Sequence, residues 1–91
     1  MTKNKAEQKL RRILKSPPPF SGNKPTTDDE YIKHQQLMAE IFALMAFASG
    51  EAKNYNEAKE VAEMIFCCHE ARILVDASFD GDVSWLHSKV R

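Results

Sequence analysis

The sequence has few of the residues that carry catalysis or cross-linking. Its 91 residues include two cysteines, three histidines and one tryptophan. The cysteines, Cys67 and Cys68, are neighbours, and neighbouring side chains on a helix point about 100° apart, so a bond between them would distort the backbone. An intrachain disulfide framework is therefore excluded. We predict that both thiols are free and buried, which is typical of a reducing compartment.

Apolar runs long enough to cross a membrane are also lacking. The most apolar stretch, residues 41–48, is far shorter than the roughly 20 residues that a bilayer requires. The N-terminus is basic and then amphipathic, without the apolar segment and small-residue cleavage site of a secretory signal. We therefore expect no membrane contact and a cytoplasmic location.

Motifs that position a nucleophile, a nucleotide or a metal are absent from the sequence. There is no nucleophile elbow, P-loop or dinucleotide fingerprint. Cys67, Cys68 and His69 are zinc-ligand types, but consecutive helical residues point in different directions, whereas zinc needs converging ligands. His69 and Glu70 begin like a zincin helix, but Ile73 stands where the second histidine would be. We predict that the protein is not an enzyme and holds no cofactor or metal.

Charge is unevenly distributed, although the formal net charge is +0. Residues 1–25 carry seven basic side chains and one acidic side chain, whereas residues 26–91 carry six basic and twelve acidic side chains. Prolines concentrate between the two parts and favour an extended polyproline geometry. The sequence predicts a basic amphipathic arm at 1–15, a proline-rich linker at 16–26 and an acidic helical body at 27–91.

Helical periodicity runs through most of the sequence, and no strand-like alternation persists. We predict an all-α fold: a small helical domain built on a two-helix hairpin, with a short C-terminal helix and a basic N-terminal helical arm. The arm helix spans 3–15, the hairpin helices span 28–49 and 56–77, and the last helix begins near Asp82 after a turn at 78–81. Thr27 and Glu30 form a capping box, and Gly50 ends the second helix. The predicted core contains Ile41, Leu44, Met45, Ile65, Phe66 and Cys68.

Arg72 stands among apolar residues of the predicted third helix. Its aliphatic stem can cover apolar surface while its guanidinium pairs with Asp76 four residues on. The alternative is an arginine that contacts a partner, since arginine is enriched at interfaces. We favour the first interpretation, because arginine stems commonly cover apolar surface.

The absence of catalytic motifs favours a protein that acts by binding. We expect a protein-binding regulator, an inhibitor or adaptor of phage or plasmid origin, that docks on a larger host protein. A nuclease or another nucleic-acid-processing enzyme is the expected target, because its basic channels would attract the acidic body. A short amphipathic helix needs a docking surface, so we expect the arm to contribute to partner binding and not to the fold of the body. The candidate contact residues are Lys5, Lys9, Leu10, Arg11, Arg12, Ile13, Lys15 and Phe20.

Two other functions are compatible with the sequence. The basic arm could bind nucleic-acid phosphates directly, although the acidic body would repel them. The two long helices could instead pair across a two-fold axis in a homo-oligomeric structural subunit. Nuclease treatment of captured complexes separates nucleic-acid binding from protein binding.

The proline-rich linker has four X–Pro bonds, which precede Pro17, Pro18, Pro19 and Pro25. X–Pro bonds in mobile segments populate the cis form at roughly 5–30% and exchange slowly. Several such bonds can aim the arm in different directions, so we hypothesise a prolyl-isomer switch that a host prolyl isomerase would accelerate. The plainer interpretation, which we favour, is a stiff spacer. Binding kinetics with and without the isomerase would distinguish the two.

Overall fold

The computed structural model describes residues 1–22 and 24–80, and it is built from helices. In chain order these are α1 (Lys3–Lys15), α2 (Asp28–Ser49), α3 (Tyr55–Phe66) and α4 (Ala71–Asp80). No strand occurs among the residues that the structure describes, so the predicted all-α class is confirmed. The bounds of α1 and α2 agree with the predicted helices 3–15 and 28–49.

α2 is the central helix, and its two ends follow from the local sequence. The Thr27 hydroxyl accepts a hydrogen bond from the Glu30 amide at 3.2 Å, while the Glu30 carboxylate accepts one from the Thr27 amide at 3.2 Å. At the other end Gly50 adopts a left-handed φ of 87°, which ends the helix without steric strain. Between these caps α2 packs against each of the other three described helices. The predicted caps are confirmed.

α1 packs along α2 through its narrow apolar stripe. Ala6 is fully buried in a cluster with Leu44 and Phe47, and its small side chain lets the two helices approach closely. Leu10 and Ile13 pack against the same cluster. This packing contradicts the expectation that the basic arm contributes nothing to the fold. α1 does need a docking surface, and α2 of the same chain supplies one.

The proline-rich linker is anchored to the helices. Pro25 is fully buried. The centre of the Phe20 ring lies 5.5 Å from that of the His34 ring. The four X–Pro bonds are trans. The hypothesis of a prolyl-isomer switch concerns binding kinetics, and it stays a prediction.

Glu30 ties the linker to the start of α2. Its carboxylate accepts hydrogen bonds from the Ser21 amide at 3.0 Å, the Thr26 amide at 3.1 Å and the Thr27 amide at 3.2 Å. The Thr26 hydroxyl donates a further bond at 3.0 Å. These bonds stabilise the charged form and lower the pKa of Glu30 from an ordinary value of 4.5 to about 2. The carboxylate therefore contributes stability that is present above pH 4.5 and is lost as the pH falls towards 2.

Replacing Glu30 with glutamine should lower the free energy of unfolding at neutral pH, because the amide keeps one acceptor oxygen and turns a donor towards other donors. The difference from the wild type should shrink as the pH falls from 4.5 to 2, where Glu30 itself becomes protonated. Urea unfolding followed by circular dichroism measures it. The matched control is Asp29→Asn, since exposed Asp29 pairs with exposed Lys33 and should matter little. If the loss of unfolding free energy in Glu30→Gln were the same at every pH, the stabilising role of the Glu30 carboxylate would be contradicted.

The predicted third helix, 56–77, is wrong, because the chain leaves helical geometry between α3 and α4. Cys67 has φ −103° and ψ 8°, and residues 67–70 form a bend and a turn. The side-chain amide of Gln35 donates to the Cys68 carbonyl at 3.2 Å. The same carbonyl accepts a bond from the Ala71 amide at 3.1 Å, so Gln35 adds a tie from α2 to the turn between α3 and α4.

α4 extends further than the sequence predicts. Residues 78–80 belong to α4, so the turn predicted at 78–81 is wrong over those residues. The Phe79 ring packs against the rings of Phe20 and His34, with centres 5.6 and 5.4 Å apart, and this contact stabilises another turn of helix. The last predicted helix, from Asp82, lies outside the described residues.

The buried residues agree only in part with the predicted core. Ile41 and Leu44 are buried as predicted, and Phe66 is half-buried with its ring 4.8 Å from that of Phe42. Four residues that were expected to be buried are exposed, and for these the prediction is wrong: Met45, Ile65, Cys67 and Cys68. For Ile65 the reason is the choice of helix face, since α3 meets α2 through Ala62 against Ala39 and Ala43, and this contact turns Ile65 outward. Cys67 and Cys68 lie in the turn that follows α3, and Met45 lies on α2 outside the buried clusters.

Candidate docking surface

α3 presents large apolar side chains to solvent. Val61, Met64 and Ile65 are 56%, 77% and 54% exposed, respectively. α3 contacts α2 through Ala58, Ala62 and Phe66, which leaves Val61, Met64 and Ile65 at the surface. An exposed apolar patch on a small protein commonly marks a binding site. We therefore take α3 as the candidate contact element.

A groove of about 400 Å³ runs between α2 and α3 beside these side chains. The apolar lining from the two helices comprises Phe42, Ala46, Ala58, Val61, Ala62, Ile65 and Phe66. The loop 51–54 borders the groove, which we call the α2–α3 groove. A concave apolar surface of this size suits the side chains of a partner more than a reaction, because it holds few polar groups that could orient a substrate.

Acidic side chains border the α2–α3 groove. Glu51 and Glu57 both line it. Within the part of the chain that the structure describes, neither of these carboxylates forms an ion pair. Lys53 is the one basic side chain among the described lining residues. The border is therefore net negative and attracts cationic groups.

The predicted contact residues of the basic arm and linker fall into two groups. The first group is engaged in the fold and comprises Lys9, Leu10, Ile13 and Phe20. The second group is exposed and comprises Lys5, Arg11, Arg12 and Lys15. In the first group, the Lys9 ammonium lies 2.9 Å from the Glu40 carboxylate, whose hydrogen bond and charge raise the pKa of Lys9. Partner binding by either group stays a prediction, and the exposed group is the one with accessible charge.

A second cleft, of about 510 Å³, lies where the end of α1 and the linker meet α2 and α3. Its charged side chains are Lys33, Glu40, Lys59 and Glu63. Two of them already have ion-pair partners, Lys33 with Asp29 and Glu40 with Lys9. Because the two signs balance, this cleft favours neither an anionic nor a cationic ligand. The α2–α3 groove is the more selective surface.

The adjacent cysteines lie at the exposed turn between α3 and α4. Partial burial and the nearby Glu63 carboxylate raise the pKa of the Cys67 thiol, which keeps it protonated and weakly nucleophilic at neutral pH. Within residues 1–22 and 24–80, no group of three or more histidine, cysteine, aspartate or glutamate side chains is placed to hold a metal ion. The turn is therefore a weaker candidate than the α2–α3 groove.

Arg72 connects α4 to the start of α2. Its guanidinium lies 2.8 Å from the Asp28 carboxylate and 5.0 Å from the centre of the Tyr31 ring. Asp76 accepts a hydrogen bond from the Tyr31 hydroxyl instead. The predicted pair of Arg72 with Asp76 is therefore wrong, because partners on another helix engage both side chains. Arg72 and Asp76 therefore form tertiary contacts with α2 instead of the pair that their sequence spacing predicts.

Comparisons with known proteins do not place the chain in a family. No protein-family model, curated protein or solved structure matches it. Among the described residues, no helix combines the length and the hydropathy that a membrane crossing needs. The features of the molecule that bear on function are therefore the exposed side of α3, the α2–α3 groove and the charges around it.

Proposed function

We propose that this protein is a non-enzymatic protein-binding regulator that docks on a larger host protein as an inhibitor or adaptor. One observation carries the proposal: Val61, Met64 and Ile65 are large, apolar and more than half exposed on one helix. Apolar surface in water is unfavourable by roughly 25 cal/mol per Å², so a partner that covers these side chains gains binding free energy. The adjoining α2–α3 groove gives that partner a shaped surface to occupy.

The proposed target is a nucleic-acid-processing enzyme, such as a nuclease, and the proposed origin is a phage or plasmid. The acidic border of the α2–α3 groove supports the choice of target, because enzymes that bind nucleic acid carry basic surfaces. Opposite charges on the two partners would steer them together and speed association. The phage or plasmid origin rests on analogy with other small inhibitors and on no residue of this chain.

Val61→Asp should abolish docking without unfolding the protein. Val61 is 56% exposed, so the new carboxylate stays hydrated in the free protein, but docking would bury it against an apolar partner. We expect capture of the host target to fall at least about tenfold, as for a residue at the centre of an interface. The matched control is Ile32→Asp, since Ile32 is 48% exposed on α2 and does not line the groove.

The experiment uses immobilised full-length protein and nuclease-treated host lysate. The proposal is supported if the wild type and Ile32→Asp capture an identified nucleic-acid-processing enzyme and Val61→Asp does not. Added wild-type protein must also inhibit that enzyme. Equal capture by all three proteins, or inhibition that Val61→Asp retains in full, would contradict docking through α3. Circular dichroism of each variant confirms that the fold is intact.

Direct binding of nucleic acid is the second candidate, and the exposed cations of α1 favour it. Lys5, Arg11, Arg12 and Lys15 are all accessible to phosphates. Binding of this kind weakens steeply with salt. It would be indicated if nuclease treatment removed the captured material, and if replacing these four residues by glutamine, but not Val61→Asp, prevented capture.

A further inference from the structure

We propose that the α2–α3 groove binds a basic amphipathic helix of the partner. The proposal rests on the proposed function and names the partner element that this surface recognises. Its chemistry is a row of apolar side chains flanked by lysine or arginine. The shape of the groove, its charge and the behaviour expected of a second copy each support this occupant.

The shape of the groove suits a helix. Ala58, Val61 and Ile65 follow one another along α3 over two turns, or about 10 Å. An amphipathic helix lying alongside presents anchors at i, i+3 or i+4 and i+7 over the same length. The small side chains of Ala46 and Ala58 on the two walls leave room for one row of larger side chains between them.

The charge of the groove selects the flanks of that helix. Glu51 and Glu57 line an apolar channel and form no ion pairs within the described residues. A helix with lysine or arginine beside its apolar row would place cations against these carboxylates. An acidic helix of the same apolar pattern would place like charges together, which disfavours binding.

A second copy of this chain fits the groove less well than a basic helix. In a two-fold dimer the same surface patch meets itself. The lining carboxylates Glu51 and Glu57 of one copy would then lie near those of the other copy across an apolar seam. Like charges at the rim of an interface weaken it, so self-association through α3 is disfavoured.

The test is a titration of full-length protein with two labelled peptides, read by fluorescence anisotropy. Both peptides have about 14 residues, with leucines at i, i+3, i+4 and i+7 spacing. Their remaining positions are lysine in one peptide and glutamate in the other. We expect the Leu–Lys peptide to bind at least about tenfold more tightly than the Leu–Glu peptide, and less tightly as salt is added.

Three variants locate the binding site. Val61→Asp should weaken binding of the Leu–Lys peptide at least about tenfold, and Ile32→Asp should leave it unchanged. The double variant Glu51→Gln, Glu57→Gln should weaken binding less and flatten its salt dependence, because it removes the lining charge and keeps the apolar lining. Circular dichroism of each variant excludes loss of fold as the cause.

Several outcomes would overturn the proposal. Equal binding of the two peptides would show that charge does not select the occupant, and indifference to Val61→Asp would place the site elsewhere. Sedimentation showing a dimer that Val61→Asp dissociates would assign the groove to a second copy. If the peptides bound only to the full-length variant Leu86→Asp and not to the wild type, the groove would be assigned to the chain's own C-terminal segment.

The two proposals fail separately. If Val61→Asp loses an identified host enzyme but neither peptide binds the wild type, the proposed function stands and the basic-helix occupant is wrong. If the Leu–Lys peptide binds as expected but no host protein depends on Val61, the groove recognises basic helices and the proposed regulatory function is wrong.

Discussion

Ile41→Asp is expected to unfold the protein. Ile41 is 4% exposed and packs with Met38 on the face of α2 that α1 covers. Loss of the isoleucine side chain alone costs roughly 2–5 kcal/mol, and a buried carboxylate without a partner adds to that cost. The stability of a domain of this size is roughly 5–10 kcal/mol, so little or none remains. Thermal unfolding followed by circular dichroism should show a greatly lowered Tm or no cooperative transition.

Ile65→Asp is the matched control for this prediction. It makes the same substitution in a helix of the same fold, but Ile65 is 54% exposed, so the carboxylate stays in water. We expect a change of less than about 1 kcal/mol in the free energy of unfolding, as is usual for surface substitutions. If the two variants lost similar amounts of stability, the assignment of α3's buried face to Ala58 and Ala62 would be wrong.

Deleting residues 1–25 is expected to remove cooperative folding of the remaining chain. α1 covers Leu44 and Phe47, and Ala6 is fully buried between them, so deletion exposes one side of α2 to water. The deletion also removes Pro25, which is buried, and the Ser21 amide, which donates a hydrogen bond to the Glu30 carboxylate. A small domain has no second core to compensate. Circular dichroism and urea unfolding should show reduced helix per residue and a broad transition.

The matched control keeps α1 and neutralises four of its exposed basic side chains. Replacing Lys5, Arg11, Arg12 and Lys15 by glutamine should leave the fold cooperative, because these side chains are exposed and glutamine is a good helix former. A truncated chain that unfolded as cooperatively as the wild type would contradict the packing of α1 into the core. That result would support the prediction that the arm acts in partner binding alone.

The sequence predicts α1 and α2 well because local chemistry sets their ends. Thr27, Glu30 and Gly50 provide caps whose geometry depends on neighbouring residues, and the apolar spacing of α1 fixes its buried face. What the sequence does not show is where α1 docks. A basic amphipathic stripe fits a partner protein as well as it fits α2, and only the tertiary structure distinguishes them.

The break after α3 and the groove beside it have no comparable local signal. Residues 67–70 contain neither proline nor glycine, and the bond from Gln35 to the Cys68 carbonyl joins residues far apart in sequence. The predicted buried face of α3 is wrong because larger residues are usually the buried ones. The alanines at 39, 43, 58 and 62 are the sequence signal of the observed face, since small residues mark close helix contacts.

The central position of α2 also bears on how the protein folds. α2 meets α1 and α3, its neighbours on either side in the chain, in its two largest interfaces. When most contacts join segments that are near each other in sequence, only short loops have to be closed, and the chain reaches the native state quickly. The α2–α3 groove is made from one such neighbouring pair and the tight connection between them. It can therefore form early, before the chain has brought its more distant segments together.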